Sequence, residues 1–211
     1  MVISIARDQR LFTKGGMGLA KAINQTKEIT AANVFNNGYA STLTWDGEFL
    51  FSASHKLLKG GTMSNMLPVA APLSEAALED ALINISLFVD DGGRIVKTMA
   101  QSLHIAPGNE FTAQRILRST LQNDTANNAD NAMRSLGKFP KGVKINHYFT
   151  SSDNWFIRTD VLEGGKIYLR NPKPKTGMDN DFNTADFRYK ISQRWSEGVD
   201  DFRQYYGSGA N

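Results

Sequence analysis

Residues Gly18 to Asn37 carry one stripe at helical spacing: Leu19, Ala22, Ile23, Thr26, Ile29, Thr30 and Val34 fall on one side, with Lys21, Asn24, Gln25 and Glu28 opposite. The spacing predicts a long helix, closed at Asn37-Gly38 by a residue in the left-handed region. So many small and polar residues on the stripe leave little apolar area to bury. The helix is therefore expected to pack on a sheet or along another subunit. Ahead of it, Lys14-Gly15-Gly16-Met17-Gly18 reads as a flexible joint.

Residues 39–72 hold no long periodic run and read as strand and loop, with Trp45-Asp46-Gly47-Glu48 as a turn between two short strands. A second helix opens at Leu73-Ser74-Glu75. Ser74 is its N-cap, Leu73 can staple onto Leu78, and Ala77, Leu78, Ala81, Leu82, Ile85 and Phe88 form its buried stripe. Asp90-Asp91-Gly92-Gly93 is expected to end it. A strand over residues 102–106, a Pro107-Gly108-Asn109 junction that caps the next helix, and a helix from Glu110 to about Ser119 follow. The Asn- and Asp-rich stretch Leu121–Asn131 reads as an exposed loop. Short strands are predicted at 144–149, 154–160 and 166–169. After the stiff loop Asn171-Pro172-Lys173-Pro174-Lys175, residues Phe187–Trp195 read as one strand. Phe187, Tyr189, Ile191 and Trp195 lie on one face, and Arg188, Lys190, Ser192 and Arg194 on the other. No internal repeat is visible.

With 211 residues, 41% of them hydrophobic, the chain is long enough for one sizeable core or two small ones. It has no run of roughly eighteen apolar residues, and Met1–Asp8 is too short and too soon charged for a secretory signal, so neither membrane nor export is expected. The absence of cysteine removes disulfides, thiolate metal ligands and cysteine nucleophiles. Net charge is only +3, but residues 1–60 carry 7 basic and 4 acidic groups, 61–165 carry 9 and 11, and 166–211 carry 8 and 6. If the two ends fold together, one domain is positive, a weak pointer to a surface facing polyanion.

Catalytic constellations are missing. His55, His104 and His147 lack metal-ligand spacing; Ser54-His55 reads as a turn and His104 as a core histidine with a hydrogen-bonded partner. Asp153 with Asp160, and Asp200 with Asp201, read as solvated turn carboxylates. Gly15–Gly18 stands before a helix but lacks the phosphate-loop pattern. No cofactor and no metal are expected.

Several blocks occur together in order: Thr26–Gly38, Asp46-Gly47, Ser52–Leu57, Gly61–Asn65, Leu73–Glu79, Leu103–Pro107, Phe111–Leu117, Asn146–Thr150, Asp153–Asp160, and Arg188-Tyr189-Lys190 through Tyr206-Gly207-Ser208. In this arrangement, which covers nearly the whole chain, the sequence resembles the Mu-like prophage major head subunit family of tailed-phage major capsid proteins.

The resemblance implies an α+β, Hong Kong 97-type capsid fold. Its peripheral domain, a long spine helix with an antiparallel sheet, would comprise residues 1–71, with the spine at about 18–37, and the return segment 166–211. Its axial domain, a mixed sheet flanked by helices, would comprise residues 72–165 with Leu121–Asn131 at the tip. Met1–Ala6 would match the strand leading back to the spine, so the N-terminal arm and extended loop of the family are expected to be absent. The implied function is a structural, non-enzymatic subunit that assembles with itself into pentamers and hexamers of an icosahedral virion shell. That shell would form in the bacterial cytoplasm around double-stranded DNA, with portal, scaffold or decoration proteins as further partners. Residues expected at subunit contacts are Asn123, Asp124, Asn127, Asn128, Lys27, Glu28, Arg188, Lys190 and Arg194. The alternatives are an encapsulin-like compartment shell, or a small nucleotide-binding enzyme using Gly15–Gly18.

Overall fold

The computed structural model describes residues 2–122, 130–162, 164–170, 173–180 and 187–209. In chain order its elements are helix α1 (Val2–Asn36), strands β1 (His55–Lys56) and β2 (Thr62–Met63), helix α2 (Glu75–Ser86), strand β3 (Ala100–Ile105), and helices α3 (Glu110–Arg118) and α4 (Ala132–Ser135). Strands β4 (Val143–Ile145), β5 (Trp155–Thr159), β6 (Gly165–Leu169), β7 (Lys175–Asn180), β8 (Phe187–Ser192), β9 (Trp195–Val199) and β10 (Tyr205–Ser208) follow. The mixture is α+β. It divides into two compact units, Met1–Ala31 with Ile167–Glu197, and Ala32–Lys166 with Gly198–Asn211. The boundary falls inside α1, β6 and β9.

In the first unit, α1 begins at Val2, far ahead of the expected start at Gly18, and Val2–Ala6 is helix and not a strand leading into it. Glycine inside a helix costs about 1 kcal/mol against alanine, but unlike proline it keeps its N–H, so the hydrogen-bond ladder runs through Gly15, Gly16 and Gly18. β7 and β8 pair antiparallel from Lys175 opposite Ser192 to Asn180 opposite Phe187. Phe187–Trp195 is therefore not one strand. The stretch serves two partners, β7 up to Ser192 and, through β9 from Trp195, β6. Lys175, expected in a loop, opens β7.

The second unit is built on a mixed sheet of order β10-β5-β3-β4, in which only β3 and β4 run parallel. On β5, Trp155, Phe156 and Ile157 are all buried, which alternating side chains allow only where both faces of a strand are covered. One face meets the inward stripe of α2 (Ala77, Leu78, Ala81, Ile85) with Ala113 and Ile116 of α3 and Met133 of α4, gathering Leu103, Ile105, Trp155, Ile157 and Tyr206 into the main core. On the other face Phe156 packs with Leu50, Phe51 and Val199, joined by Val34, Phe35, Tyr39, Phe149 and Tyr205. The Phe156 ring lies 5.0 Å from Phe51 and 5.4 Å from Phe35.

Ser74 caps α2 as expected, its hydroxyl accepting the Ala77 N–H at 3.3 Å, but the helix ends at Ser86. Asp90–Gly93 instead turns the hairpin closed by the Val89–Ile95 bridge, with the Asp90 carboxylate accepting the Gly92 and Arg94 amides. Asn109 does not cap α3 through its side chain; its amide donates to the Ser152 carbonyl. Gly38 does not have the positive φ expected of it. A glycine is needed there for space: a Cβ would sit 2.7 Å from the Phe51 ring, and at Gly207 it would sit 2.7 Å from both Phe51 and the Tyr39 hydroxyl. Backbone and aromatic cluster are in direct contact at these two positions.

Candidate functional site

Of the residues expected at contacts, Asn123, Asp124, Asn127 and Asn128 lie outside the described residues. Glu28 is exposed on α1, Lys190 is exposed on β8 opposite Gly177, and Arg188 lies opposite Asp179 in the β7–β8 register. The structure brings Lys27 and Arg194 to one place. The Lys27 ammonium sits 5.8 Å from the centroid of the Trp195 ring, the arrangement in which a cation is drawn to an aromatic face. The same indole is fixed from the helix: Trp195 Nε1 donates to Thr30 Oγ1 at 3.2 Å, and Thr30 Oγ1 donates to Glu197 Oε1 at 2.7 Å. One hydroxyl thus ties α1 to β9 in the first unit.

Beside Trp195 an open cleft of about 810 Å³ is lined by Thr30, Tyr168, Arg170, Arg194 and their neighbours. The Arg170 amide donates to the Arg194 carbonyl at 3.1 Å, so the two arginines stand at facing backbone positions where the β6 and β9 segments meet. Both side chains are exposed, and among the described residues neither guanidinium is paired with a carboxylate. Reasoning from sequence reached Arg194 through strand alternation but not Arg170, whose relation to Arg194 arises only from pairing across 24 residues. Once the units are known the charges separate: the first carries 11 basic and 6 acidic residues, net +5, and the second 13 and 15, net −2.

The second unit holds a buried polar centre that sequence reasoning missed. His55, expected in a turn, is fully buried in β1 and stacks on Phe202 at 3.7 Å. Its Nδ1 lies 2.8 Å from Asp46 Oδ2 and its Nε2 3.1 Å from Asn65 Oδ1, so both ring nitrogens face oxygen acceptors. The Asn65 amide donates to the carbonyls of Leu50 at 2.7 Å and Tyr205 at 3.1 Å. Burial pushes the Asp46 carboxyl up, but bonds from the Thr44 hydroxyl, His55 and the Glu48 amide outweigh it and leave the pKa lowered. Every group here has a partner, so the cluster locks the 44–65 segment onto β10 and offers no free nucleophile. His104 has the hydrogen-bonded partner expected of it, Ser102 at 3.0 Å from Nε2, but it is half-buried on β3 and not a core residue. Burial first, then Arg158 and Lys144, depress it from 6.5 to about 4.

Two surfaces of this unit remain uncovered in the single chain. The outward stripe of α2 and its cap is apolar at Ile83 and Leu87, each 58% exposed. Beside its C-terminal end, Met99 and Leu136, also exposed, line a groove of about 470 Å³ with Leu82 and Pro140. On the other side of α4, Arg118, Arg134 and Lys138 surround a groove of about 480 Å³. The Gly15–Gly18 segment lies inside α1 and away from its first turn, so its N–H groups belong to the helix and do not form a phosphate cradle. Among the described residues there is no cluster of His, Asp or Glu able to hold a metal ion. Nor is there a helix long and apolar enough to cross a membrane.

A family model described as phage capsid protein matches residues 3–206. No curated protein sequence matches the chain. Among solved structures, it is similar to the capsid of an empty GTA particle (15% identity, TM-score 0.47, covering 90% of this chain and 65% of that one). It is also similar to a phage-related protein from Bordetella bronchiseptica RB50 (12%, 0.47, 90% and 64%) and to a virus-like particle from Pyrococcus furiosus (8%, 0.44, 69% and 56%). The chain spans less than two thirds of the length of each.

Proposed function

Because the chain belongs to the phage capsid protein family, we propose that it is a major head subunit, the two-domain body from which pentamers and hexamers of an icosahedral shell around double-stranded DNA are built. The observation that carries this reading is a family match running from residue 3 to residue 206. A capsid protein works by self-association, and the uncovered apolar stripe of α2 is consistent with that, because an exposed apolar patch on a folded chain marks a contact surface. Many repeated heterologous contacts, each weak, close a shell through symmetry and multivalency.

In this reading the fold is of the Hong Kong 97 type. Residues 1–71 with 166–211 form the peripheral domain and 72–165 the axial domain, a division by place in the shell and not by compactness. The subunit is Mu-like and assembles in the host cytoplasm with portal, scaffold or decoration proteins.

The test is electron microscopy and light scattering of the protein as its gene encodes it, alongside the variant Ile83→Glu/Leu87→Glu. Closed particles with five- and six-fold capsomers, lost in a variant that keeps its circular dichroism spectrum, are expected. A protein that stays monomeric under every assembly condition would overturn the reading. Nucleic acid extracted from the particles is expected; a protein cargo would make it a compartment shell instead.

A further inference from the structure

We propose that the Arg170–Arg194 cleft of the first unit is a binding site for the phosphate backbone of nucleic acid, which it grips without reading sequence. The inference rests on the reading that the shell encloses nucleic acid and assigns that contact to named residues. Its starting point is the backbone bond from Arg170 to Arg194, which sets the two arginines at facing backbone positions on the lining of one cleft. Like charges at facing positions of paired strands repel, and here no carboxylate among the described residues relieves them. An anion in the cleft removes the repulsion and gains two charge-assisted, planar donor sets suited to phosphate oxygens.

The surroundings agree. The opening is about 810 Å³ and uncovered, so it can admit a polymer backbone. Tyr168, 53% exposed, and Trp195 add aromatic faces, and Lys27 stands over the same indole as a third cation. The net +5 of the unit supplies a long-range attraction that a pair of arginines alone would not. That breadth of charge favours a polyanion over a single acidic side chain from a neighbouring copy.

The experiment measures binding of the full protein to a short labelled DNA duplex across a salt series, for wild type, Arg170→Ala/Arg194→Ala, Arg170→Lys/Arg194→Lys, and Arg118→Ala/Arg134→Ala from the basic groove of the other unit. Each phosphate contact contributes about 0.9 to the slope of log affinity against log salt, so the first variant is expected to lower that slope by about 2. The lysine variant should restore most of it, and the Arg118/Arg134 variant should leave it unchanged. An equal loss in the Arg118/Arg134 variant would reduce the effect to net charge and overturn the proposal. So would unchanged DNA binding in the first variant together with lost particle formation, which would make the cleft a subunit contact. Electron microscopy of the same preparations keeps the two readings apart: particles that form normally while the slope does not move sink the cleft alone, and absence of particles from the wild type sinks the shell reading.

Discussion

At the scale of single residues, the buried His55 and the half-buried His104 have different surroundings. His55 has an acceptor on each ring nitrogen, whereas His104, with Arg158 and Lys144 nearby, is held neutral down to about pH 4. The unfolded chain takes up a proton at His104 near pH 6.5 and the folded chain does not. Its contribution is therefore fully present above pH 6.5, declines as pH falls toward 4 and is constant below, a total of about 3 kcal/mol. Asp46, with its lowered pKa, acts in a separate window, losing its contribution only below the ordinary carboxylate value of 3.8. His104→Gln, which can keep the bond to Ser102, should flatten the fall in stability between pH 6.5 and 4. Urea unfolding at pH 7 and 4.5 measures it, and an unchanged difference would count against the assignment. Little of this was legible in the sequence. His104 read as a core histidine because it sits in a clear strand, but Asp46, His55 and Asn65 lie nine and ten residues apart, a spacing that matches no motif.

At the scale of elements, legibility followed local signals. α2 was readable because its cap and apolar stripe agree, and α3 because a proline junction precedes it. The first half of α1 was not, because three glycines suggested a joint where the ladder in fact continues. The break between β8 and β9 was hidden because the alternation keeps its parity across Gln193 and Arg194, so only partner choice reveals it. Packing between elements leaves no room for a side chain where β10 passes the aromatic cluster. Gly207→Ala drives a methyl into Phe51 and the Tyr39 hydroxyl and should cost about 1–3 kcal/mol, the usual range for overpacking. Thermal unfolding should show a lower midpoint, and Phe51→Leu in the same chain should recover part of the loss, because the two sites share one space. Additive losses would mean that the crowding lies elsewhere.

At the scale of the whole molecule, neither compact unit is a continuous stretch of chain. The second takes its core residues Phe202 and Tyr206, and the buried Arg203 that bonds Asp91 at 2.6 Å and the Val89 carbonyl at 2.9 Å, from a segment after residue 197. Removing residues 198–211 should leave a chain that keeps helical far-ultraviolet dichroism but loses its near-ultraviolet signal; a native near-ultraviolet spectrum would show that the sheet stands without β10. The charge asymmetry between the ends and the middle was legible in the sequence, whereas the residues alone did not say which parts of the ends fold together: only 1–31 and 167–197 do, joined by contacts between a helix and a strand such as Thr30 with Trp195 and Glu197. The position of β10 also bears on timing. Because that strand pairs with β5 yet follows every other described strand, a nascent chain still on the ribosome lacks one side of its main sheet until residue 208 has emerged. Translation therefore leaves the main sheet of the second unit one strand short until nearly the whole described chain has been made.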